Sequence, residues 1–253
     1  MARVIATVNQ KGGVGKTTSA VNLAAGLASA ERPTLLVDLD PQGNATTGIG
    51  IVKPGVYPTT YHVLLGGEPI EKAIVPTELE FLSLVPSDLD LVGAEIELVL
   101  IENRELRLRE GLVPANGKFD YILVDCPPSL GILTINALAS ADSVLIPLQC
   151  EFYALEGLAK LLKTIRLVKG RFNPKLEIEG ILLTMFDGRT TLAGQVREEV
   201  REYFKAQLFQ TIIPRNVRLS EAPSHGKPII LYDLRSVGAI AYLELTKEVL
   251  AHD

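Results

Sequence analysis

The chain has 253 residues, of which 47% are hydrophobic, and a formal net charge of −5. This length and apolar content suit one α/β domain, residues 1–253, because no linker rich in Pro, Gly or Ser divides the sequence. Two cysteines exclude a disulfide framework, and the acidic balance argues against a protein that coats nucleic acid over its whole surface. No apolar run approaches a membrane span and no charged leader with an apolar core opens the sequence, which predicts a cytoplasmic protein.

A glycine-rich segment between a predicted strand and a predicted helix is the first motif. Residues 3–8 are mostly apolar, and residues 19–28 carry apolar side chains at helical spacing. Glycines let backbone N–H groups point inward, and the following helix N-terminus favours phosphates. This context predicts a nucleoside triphosphate site, in which Lys16 neutralises the β/γ-phosphates and Thr17 ligates Mg²⁺. The nucleotide-binding candidates here are Gly12, Gly13, Val14, Gly15, Lys16, Thr17 and Thr18.

Two later apolar runs end in carboxylates, and open α/β sheets bind ligands at the carboxyl ends of their strands. Asp38 and Asp40 close the first run and project to the same side of an extended chain. Asp125 closes the second, a pattern typical of an acid that holds Mg²⁺ through water. The metal candidates from these patterns are therefore Thr17 and Asp125, and the pair of acids at Asp38 and Asp40 requires a cation or another role. The alternative interpretation is that Asp38 and Asp40 only cap a strand end.

The remainder of the chain alternates between predicted strands and helices. Residues 51–76, punctuated by Pro54, Gly55 and other Pro and Gly residues, are predicted as turns with one brief helix near residues 61–65. Strands are predicted at residues 79–86, 143–148 and 211–213, and helices at residues 94–112, 153–171 and 236–250. This alternation predicts an α/β fold with one doubly wound, mostly parallel sheet flanked by helices.

Positive charge is concentrated in one part of this acidic chain. Residues 157–218 contain 12 Lys or Arg and 6 Asp or Glu, and residues 157–175 contain no acid. One side of the predicted helix in this stretch is basic, a distribution that attracts phosphate backbones without reading base sequence. The alternative is an ordinary solvated helix face.

The segment KGGVGKTT at residues 11–18 resembles the deviant Walker A loop of the ParA/MinD family of P-loop ATPases, and DLDPQGN at residues 38–44 resembles a stretch of ParA-like proteins. Similarity to the ParA/Soj group covers essentially the whole chain, from residue 4 to about residue 250. The resemblance implies that Lys11 reaches the nucleotide of a second subunit, that Asp40 positions the attacking water and that Asp38 lies near the metal. Lys11, Lys16 and Asp40 are accordingly the candidate catalytic residues.

Two segments in the second half of the chain extend this resemblance. Residues 184–190 and 214–224 are similar to stretches of the chromosomal ParA/Soj group. The resemblance implies that Arg189 and Arg218 take part in non-specific DNA binding. It also implies that the segment beginning at Pro214 holds the adenine, with Asn216 hydrogen-bonding the edge of the base.

The function implied by the resemblance is ATP-dependent DNA segregation, with ATP and Mg²⁺ as cofactors. ATP would join two copies of the chain into a homodimer that binds double-stranded DNA without sequence preference. A ParB/Spo0J-type DNA-binding protein would accelerate hydrolysis of ATP to ADP and phosphate, which releases the DNA. The implied location is cytoplasmic and associated with the nucleoid, and the cargo is a chromosome origin or a plasmid.

Three other P-loop functions remain as alternatives. A MinD-like ATPase would need a basic amphipathic C-terminal helix for membrane attachment, and residues 236–253 lack that basic face. A nitrogenase-reductase-like electron carrier would need cluster-ligating cysteines, an arrangement that Cys126 and Cys150 do not offer. A metabolic ATP-dependent ligase or amidotransferase would leave the basic stretch without a role.

Overall fold

Parallel strands make up most of the sheet in the computed structural model, which describes residues 1–52 and 58–252. The strands are β1 Arg3–Thr7, β2 Thr34–Asp38, β3 Val75–Pro76, β4 Leu82–Val85, β5 Tyr121–Asp125, β6 Ser143–Gln149 and β7 Glu177–Thr184. Within the described residues they form one sheet in the order β3-β4-β2-β5-β1-β6-β7. Only the β3–β4 pair is antiparallel among these neighbours, which confirms the mostly parallel sheet. The turn predicted at Pro54 and Gly55 lies outside the described residues.

Helices cover both faces of this sheet. They are α1 Lys16–Ser29, α2 Asn44–Gly48, α3 Thr60–Leu65, α4 Ile70–Ala73, α5 Leu91–Glu97, α6 Arg107–Leu112, α7 Ile132–Ser140, α8 Ala154–Arg171, α9 Thr191–Phe204, α10 Val217–Glu221, α11 Ile229–Tyr232 and α12 Val237–Leu250. The brief helix predicted near residues 61–65 is α3, and the helices predicted at 153–171 and 236–250 are α8 and α12. In the described part of the chain, none of the helices has the length and apolar character to cross a bilayer.

The apolar side chains of the strands divide between two cores, one on each face of the sheet. Along β1, Val4 and Ala6 pack into the core that also contains side chains of α7 and α8, whereas Ile5 packs with α1 and α12. Because both faces are covered, central strands such as β5 are buried at every position. The helices on both faces confirm the doubly wound arrangement, in which ligands bind at the carboxyl ends of the strands.

The single helix predicted over residues 94–112 is wrong. The chain leaves the helical conformation after α5, passes through Asn103 in the left-handed region with φ of 54°, and re-enters a helix at α6. Asn136 of α7 donates to the Arg104 carbonyl at 2.8 Å and accepts from the Leu108 amide at 3.0 Å. The side chain of Asn136 therefore stabilises the break, because it pairs backbone groups that have no partner within a helix. Asn103 suits the break as well, because asparagine tolerates the left-handed conformation.

The strand predicted at residues 211–213 is also wrong. The amides of residues 210 and 211 donate to the carboxylate of Glu248, at 2.9 and 2.7 Å, instead of to a neighbouring strand. Isolated bridges lie on either side of this segment, between Ile181 and Leu208 and between Phe186 and Pro214, and the Ile213 amide donates to the Leu183 carbonyl at 2.9 Å. The segment thus runs beside the edge of the sheet without joining it as a strand, and the residues that follow it lie at the carboxyl end of β7.

Candidate nucleotide site

The glycine-rich loop joins β1 to α1 through two left-handed residues. Gly13 and Gly15 have φ of 73° and 84°, a conformation that side-chain-bearing residues rarely adopt. The hydroxyl of Thr184, the last residue of β7, donates to the Val14 carbonyl at 2.8 Å and joins the loop to the end of a strand two positions from β1 in the sheet. The N-cap residue of α1 is Gly15, which has no side chain to accept hydrogen bonds from the first amides of the helix, so these amides remain available to an anionic ligand.

Lys16 is a buried cation at the start of α1. Lys16 is only 6% exposed, and its Nζ atom donates to the Lys11 carbonyl at 2.9 Å. Burial lowers the pKa of Lys16, while the nearby carboxylates of Asp125 and Asp40 act in the opposite direction. In the part of the chain that the structure describes, Lys16 forms no ion pair within 4.0 Å, so its charge suits a bound phosphate.

Asp38 and Asp125 lie side by side at the carboxyl ends of β2 and β5, where they are register partners. Both are fully buried. The Asp38 carboxylate accepts from the amide and hydroxyl of Thr46, at 2.8 and 2.7 Å, and from the Asp40 amide at 3.2 Å. Burial raises the pKa of Asp38 to about 6 despite these hydrogen bonds. Asp38 is therefore a partly compensated charge that anchors the loop after β2.

Asp125 has no such compensation. Neither carboxylate oxygen has a hydrogen-bond partner among the described residues. Burial first, and then the charge of Asp38, raise its pKa well above the usual range; the Thr17 hydroxyl lowers it without reaching ordinary hydrogen-bond geometry. A buried carboxylate with two unused oxygens is a group that a cation stabilises. Thr17 and Asp125 are thus the residues able to hold Mg²⁺ together with phosphate and water oxygens.

Within residues 1–52 and 58–252, no group of three or more His, Cys, Asp or Glu residues is arranged to hold a metal ion. Magnesium usually takes only one or two protein ligands and completes its octahedron with phosphate oxygens and water. The donors around Asp125 therefore fit a nucleotide-bound magnesium ion better than a metal held by protein alone.

A cavity of about 440 Å³ opens over the glycine-rich loop. It brings together most of the residues predicted from sequence: Gly12, Gly13, Gly15, Lys16, Thr17, Thr18, Asp40, Pro214 and Asn216. Lys11, Val14, Asp38 and Asp125 are not part of its lining. The Oδ1 atom of Asn216 caps α10 by accepting from the Arg218 amide at 2.9 Å, which leaves the side-chain NH₂ to donate to a ligand.

The lining residues that the sequence did not predict include Thr184, Met185 and Tyr242. Thr184 and Met185 lie inside a segment whose resemblance pointed to DNA, and Met185 has φ of 48°, a conformation that is uncommon outside glycine. Tyr242 reaches the cavity from α12, where its hydroxyl lies 3.1 Å from the Ser19 hydroxyl. No local pattern marks Tyr242, because its role depends on α12 packing against α1.

Lys11 is turned toward its own chain. Its ammonium forms an ion pair with Glu151, at the end of β6, and the two side chains are 44% and 45% exposed. Its amide donates to Oδ1 of Asn9 at 3.0 Å. Contact of Lys11 with a nucleotide stays a prediction that requires this ion pair to open.

The two arginines predicted to bind DNA are both solvent-exposed and both paired with acids. Arg189 is 87% exposed and contacts Asp187 at 2.6 Å, while Arg218 contacts Glu221 at 2.8 Å and Asp233 at 3.5 Å. Their DNA binding stays a prediction. Exposed ion pairs contribute little to stability, so DNA phosphates can replace these carboxylates as partners.

Comparison with known proteins identifies the family. A family model described as "AAA domain" matches residues 2–178. The chain is 62% identical to the chromosome partitioning protein ParA of Myxococcus xanthus, over 100% of this chain and 89% of that protein. It is 57% identical to the sporulation initiation inhibitor protein Soj of Bacillus subtilis, over 100% of both.

A solved structure of similar shape is the cobyrinic acid a,c-diamide synthase of Mycobacterium smegmatis with bound ADP and magnesium. Its TM-score is 0.88 and its sequence identity 38%, over 100% of this chain and 95% of that one. The full-length identity to ParA and Soj exceeds this value by a wide margin. On this evidence the chain belongs to the ParA/Soj family of chromosome partitioning proteins.

Proposed function

We propose that this chain is an ATP-dependent DNA-partitioning ATPase. Its binding of Mg²⁺·ATP would drive dimerisation and non-specific DNA binding. The observation that carries the proposal is that two buried charged groups of the cavity region, the ammonium of Lys16 and the carboxylate of Asp125, form no ion pair within 4.0 Å among the described residues. A nucleotide with its magnesium ion supplies the opposite charge to each. The similarity to ParA and Soj, and the ADP and magnesium in the synthase, support the same proposal.

The proposed nucleotide contacts follow the loop geometry. Backbone amides of residues 12–18 and the ammonium of Lys16 would hold the phosphates, and the NH₂ group of Asn216 would donate to the adenine. Thr17 and Asp125 would hold Mg²⁺, directly and through water, with Asp38 behind them. When bound, the metal ion neutralises charge that develops on the transferred phosphoryl group.

Asp40 is the residue proposed to orient the attacking water. It is 6% exposed, it lines the cavity, and its Oδ1 accepts from the Gln42 amide at 2.9 Å. That hydrogen bond fixes the carboxylate and leaves Oδ2 to accept a proton of water. The reaction proposed is hydrolysis of ATP to ADP and phosphate, with Lys16 stabilising the departing phosphate charge.

Dimerisation would couple nucleotide binding to DNA binding. Lys11 would leave Glu151 and contact the nucleotide of a second copy. The dimer would then present two basic surfaces that include Arg189 and Arg218, and two linked contacts bind far more tightly than one. A ParB-type protein would accelerate hydrolysis and so release the dimer from the nucleoid.

The test measures binding of the purified chain to a random-sequence DNA duplex without nucleotide, with ADP and with ATP plus Mg²⁺, across a salt series. The proposal expects tight binding only with ATP, with an affinity that falls steeply as salt rises. Lys16→Ala is the matched control and should lose the ATP-dependent binding. ATP hydrolysis without retention on DNA under any condition would contradict the partitioning function and favour a metabolic ATPase.

A further inference from the structure

The segment that follows β4 carries apolar side chains on two opposite faces. Leu91, Ala94 and Leu98 recur at helical spacing and are buried in the hydrophobic core on one face of the sheet. A second set, on α5 and on the residues directly before and after it, points to solvent although a surface helix normally presents polar residues there. We call this set the outer face of α5. Its members and exposed fractions are Leu89 67%, Val92 49%, Ile96 72%, Val99 60% and Leu100 90%. Clustered exposed apolar side chains of this kind mark an interaction site.

Acidic residues surround the outer face of α5. Residues 88–105 contain six acids and one base, Arg104, which already contacts Glu105 at 3.2 Å. The acids are Asp88, Asp90, Glu95, Glu97, Glu102 and Glu105. A second copy docked through the same surface would oppose acid to acid, and an anionic membrane would be repelled. Charge complementarity therefore favours a cationic partner whose contact surface also carries apolar side chains.

The outer face of α5 is joined at its start to the loop that carries the candidate catalytic acid. Ser87 lies between β4 and α5 and is 1% exposed. Its hydroxyl donates to the Asp40 carbonyl at 2.8 Å, and its amide donates to the Thr46 hydroxyl at 3.0 Å. Thr46 in turn donates to Asp38. A displacement of α5 that moves Ser87 would therefore also move the backbone of Asp40 and change the hydrogen bonds that Asp38 accepts.

A second contact joins α5 to the loop after Asp125. A methyl group placed on Gly131 would lie 3.2 Å from the Glu95 carboxylate, so helix and loop are in close packing there. The same acidic, apolar segment therefore touches the two loops that follow β2 and β5. These loops bracket the site where the γ-phosphate is proposed to lie.

We infer that the outer face of α5 is a docking surface for a cationic amphipathic segment of a protein partner. Docking there alters ATP turnover through Ser87 and the Glu95–Gly131 contact. The effect on turnover rests on the proposed function, whereas the docking itself does not. Burial of two or more of the exposed aliphatic side chains supplies the affinity, and the acids supply orientation and rate of association.

The test uses a fluorescent 18-residue amphipathic helix of leucine and lysine as the probe, titrated with the full chain and followed by anisotropy. The variant Ile96→Ser/Leu100→Ser should bind at least tenfold more weakly, because two aliphatic anchors are removed. Glu95→Gln/Glu102→Gln should also weaken binding and flatten its salt dependence. The matched control is Leu167→Ser, which changes a side chain 54% exposed on α8 and should bind as the unsubstituted chain does.

Several outcomes overturn the inference. Equal affinity for the Ile96→Ser/Leu100→Ser variant and the control means that the probe detects only net charge. Equal binding of a leucine–glutamate peptide would mean that charge complementarity plays no part in docking, which also overturns the inference. Sedimentation that shows the nucleotide-free chain to self-associate, with Ile96→Ser/Leu100→Ser monomeric, identifies a second copy as the occupant.

ATP turnover with and without the probe tests the coupling separately. A probe that binds through α5 and changes turnover of the unsubstituted chain, but not of Ile96→Ser/Leu100→Ser, supports it. Binding through α5 with unchanged turnover overturns the coupling and leaves the docking surface standing. Failure of the chain to bind ATP would instead refute the proposed function, and the anisotropy titration would still decide on docking.

Discussion

Glu151→Gln should strengthen ATP-dependent dimerisation if Lys11 must leave its own chain to contact the nucleotide of a second copy. The Lys11–Glu151 pair is close to half-exposed on both sides. Pairs of this kind contribute about 0.2–1 kcal/mol. Two of them open for each dimer formed, so their removal should lower the dimer dissociation constant by roughly 2- to 30-fold.

Sedimentation velocity over a range of protein concentrations, with Mg²⁺ and a non-hydrolysable ATP analogue, measures this constant. Glu156→Gln is the matched control, because Glu156 pairs with Lys160 at 2.6 Å one turn further along and is comparably exposed. That variant should dimerise as the unsubstituted chain does. Weaker dimerisation of Glu151→Gln would refute the reasoning, since it would mean that Glu151 stabilises the dimer and not the separate subunit.

Further variants test the remaining assignments. Asp40→Ala should keep ATP binding but lose hydrolysis and stay on DNA, as measured by retention on DNA-coated resin; loss of ATP binding would contradict the assignment. Lys16→Ala should lose nucleotide binding by calorimetry, and retained affinity would exclude its phosphate role. Arg189→Ala and Arg218→Ala should each reduce the salt slope of DNA binding by about 1 for each subunit, or about 2 for the dimer, without affecting dimerisation; unchanged slopes in both would remove them from the DNA surface. Because burial raises the pKa of Asp38 to about 6, the folded state holds this proton more tightly than the unfolded chain. The nucleotide-free protein should therefore lose up to about 3 kcal/mol of stability as pH rises from about 4 through 6, and Asp38→Asn should flatten that part of a urea-denaturation profile.

The phosphate loop was predictable from sequence because its chemistry is local. Glycines at fixed positions, a preceding apolar strand and a following helix determine where the backbone amides lie, and the cavity over this loop contains six of the eight candidates at residues 11–18. Asp38 and Asp125 were predictable for a similar reason. Each ends an apolar strand, and parallel strands bring their carboxyl ends to the same edge of the sheet.

The features that sequence did not predict depend on distant contacts. The break between α5 and α6 requires the side chain of Asn136, which lies 28 and 32 positions away from the two backbone groups that it satisfies. The chain at residues 211–213 resembles a strand in composition, yet Glu248 of α12 accepts a hydrogen bond from the Thr211 amide. Tyr242 enters the cavity only because α12 packs on α1. Periodicity reports which face of a segment is apolar, and these contacts decide what lies opposite that face.

The opposite pKa shifts of Lys16 and Asp125 have one physical cause, and it bears on how the site would respond to its ligand. Burial removes water from both groups, which lowers the pKa of the ammonium and raises that of the carboxylate. Each group therefore has unused capacity to stabilise an ion of opposite charge, and the two ions required are a phosphate and a divalent cation. Neither ion alone satisfies both groups, because phosphate beside Asp125 is repelled and a cation beside Lys16 is repelled. A nucleotide with its magnesium ion satisfies both at once, so the affinity of this site for the pair should exceed what its separate affinities for nucleotide and metal predict.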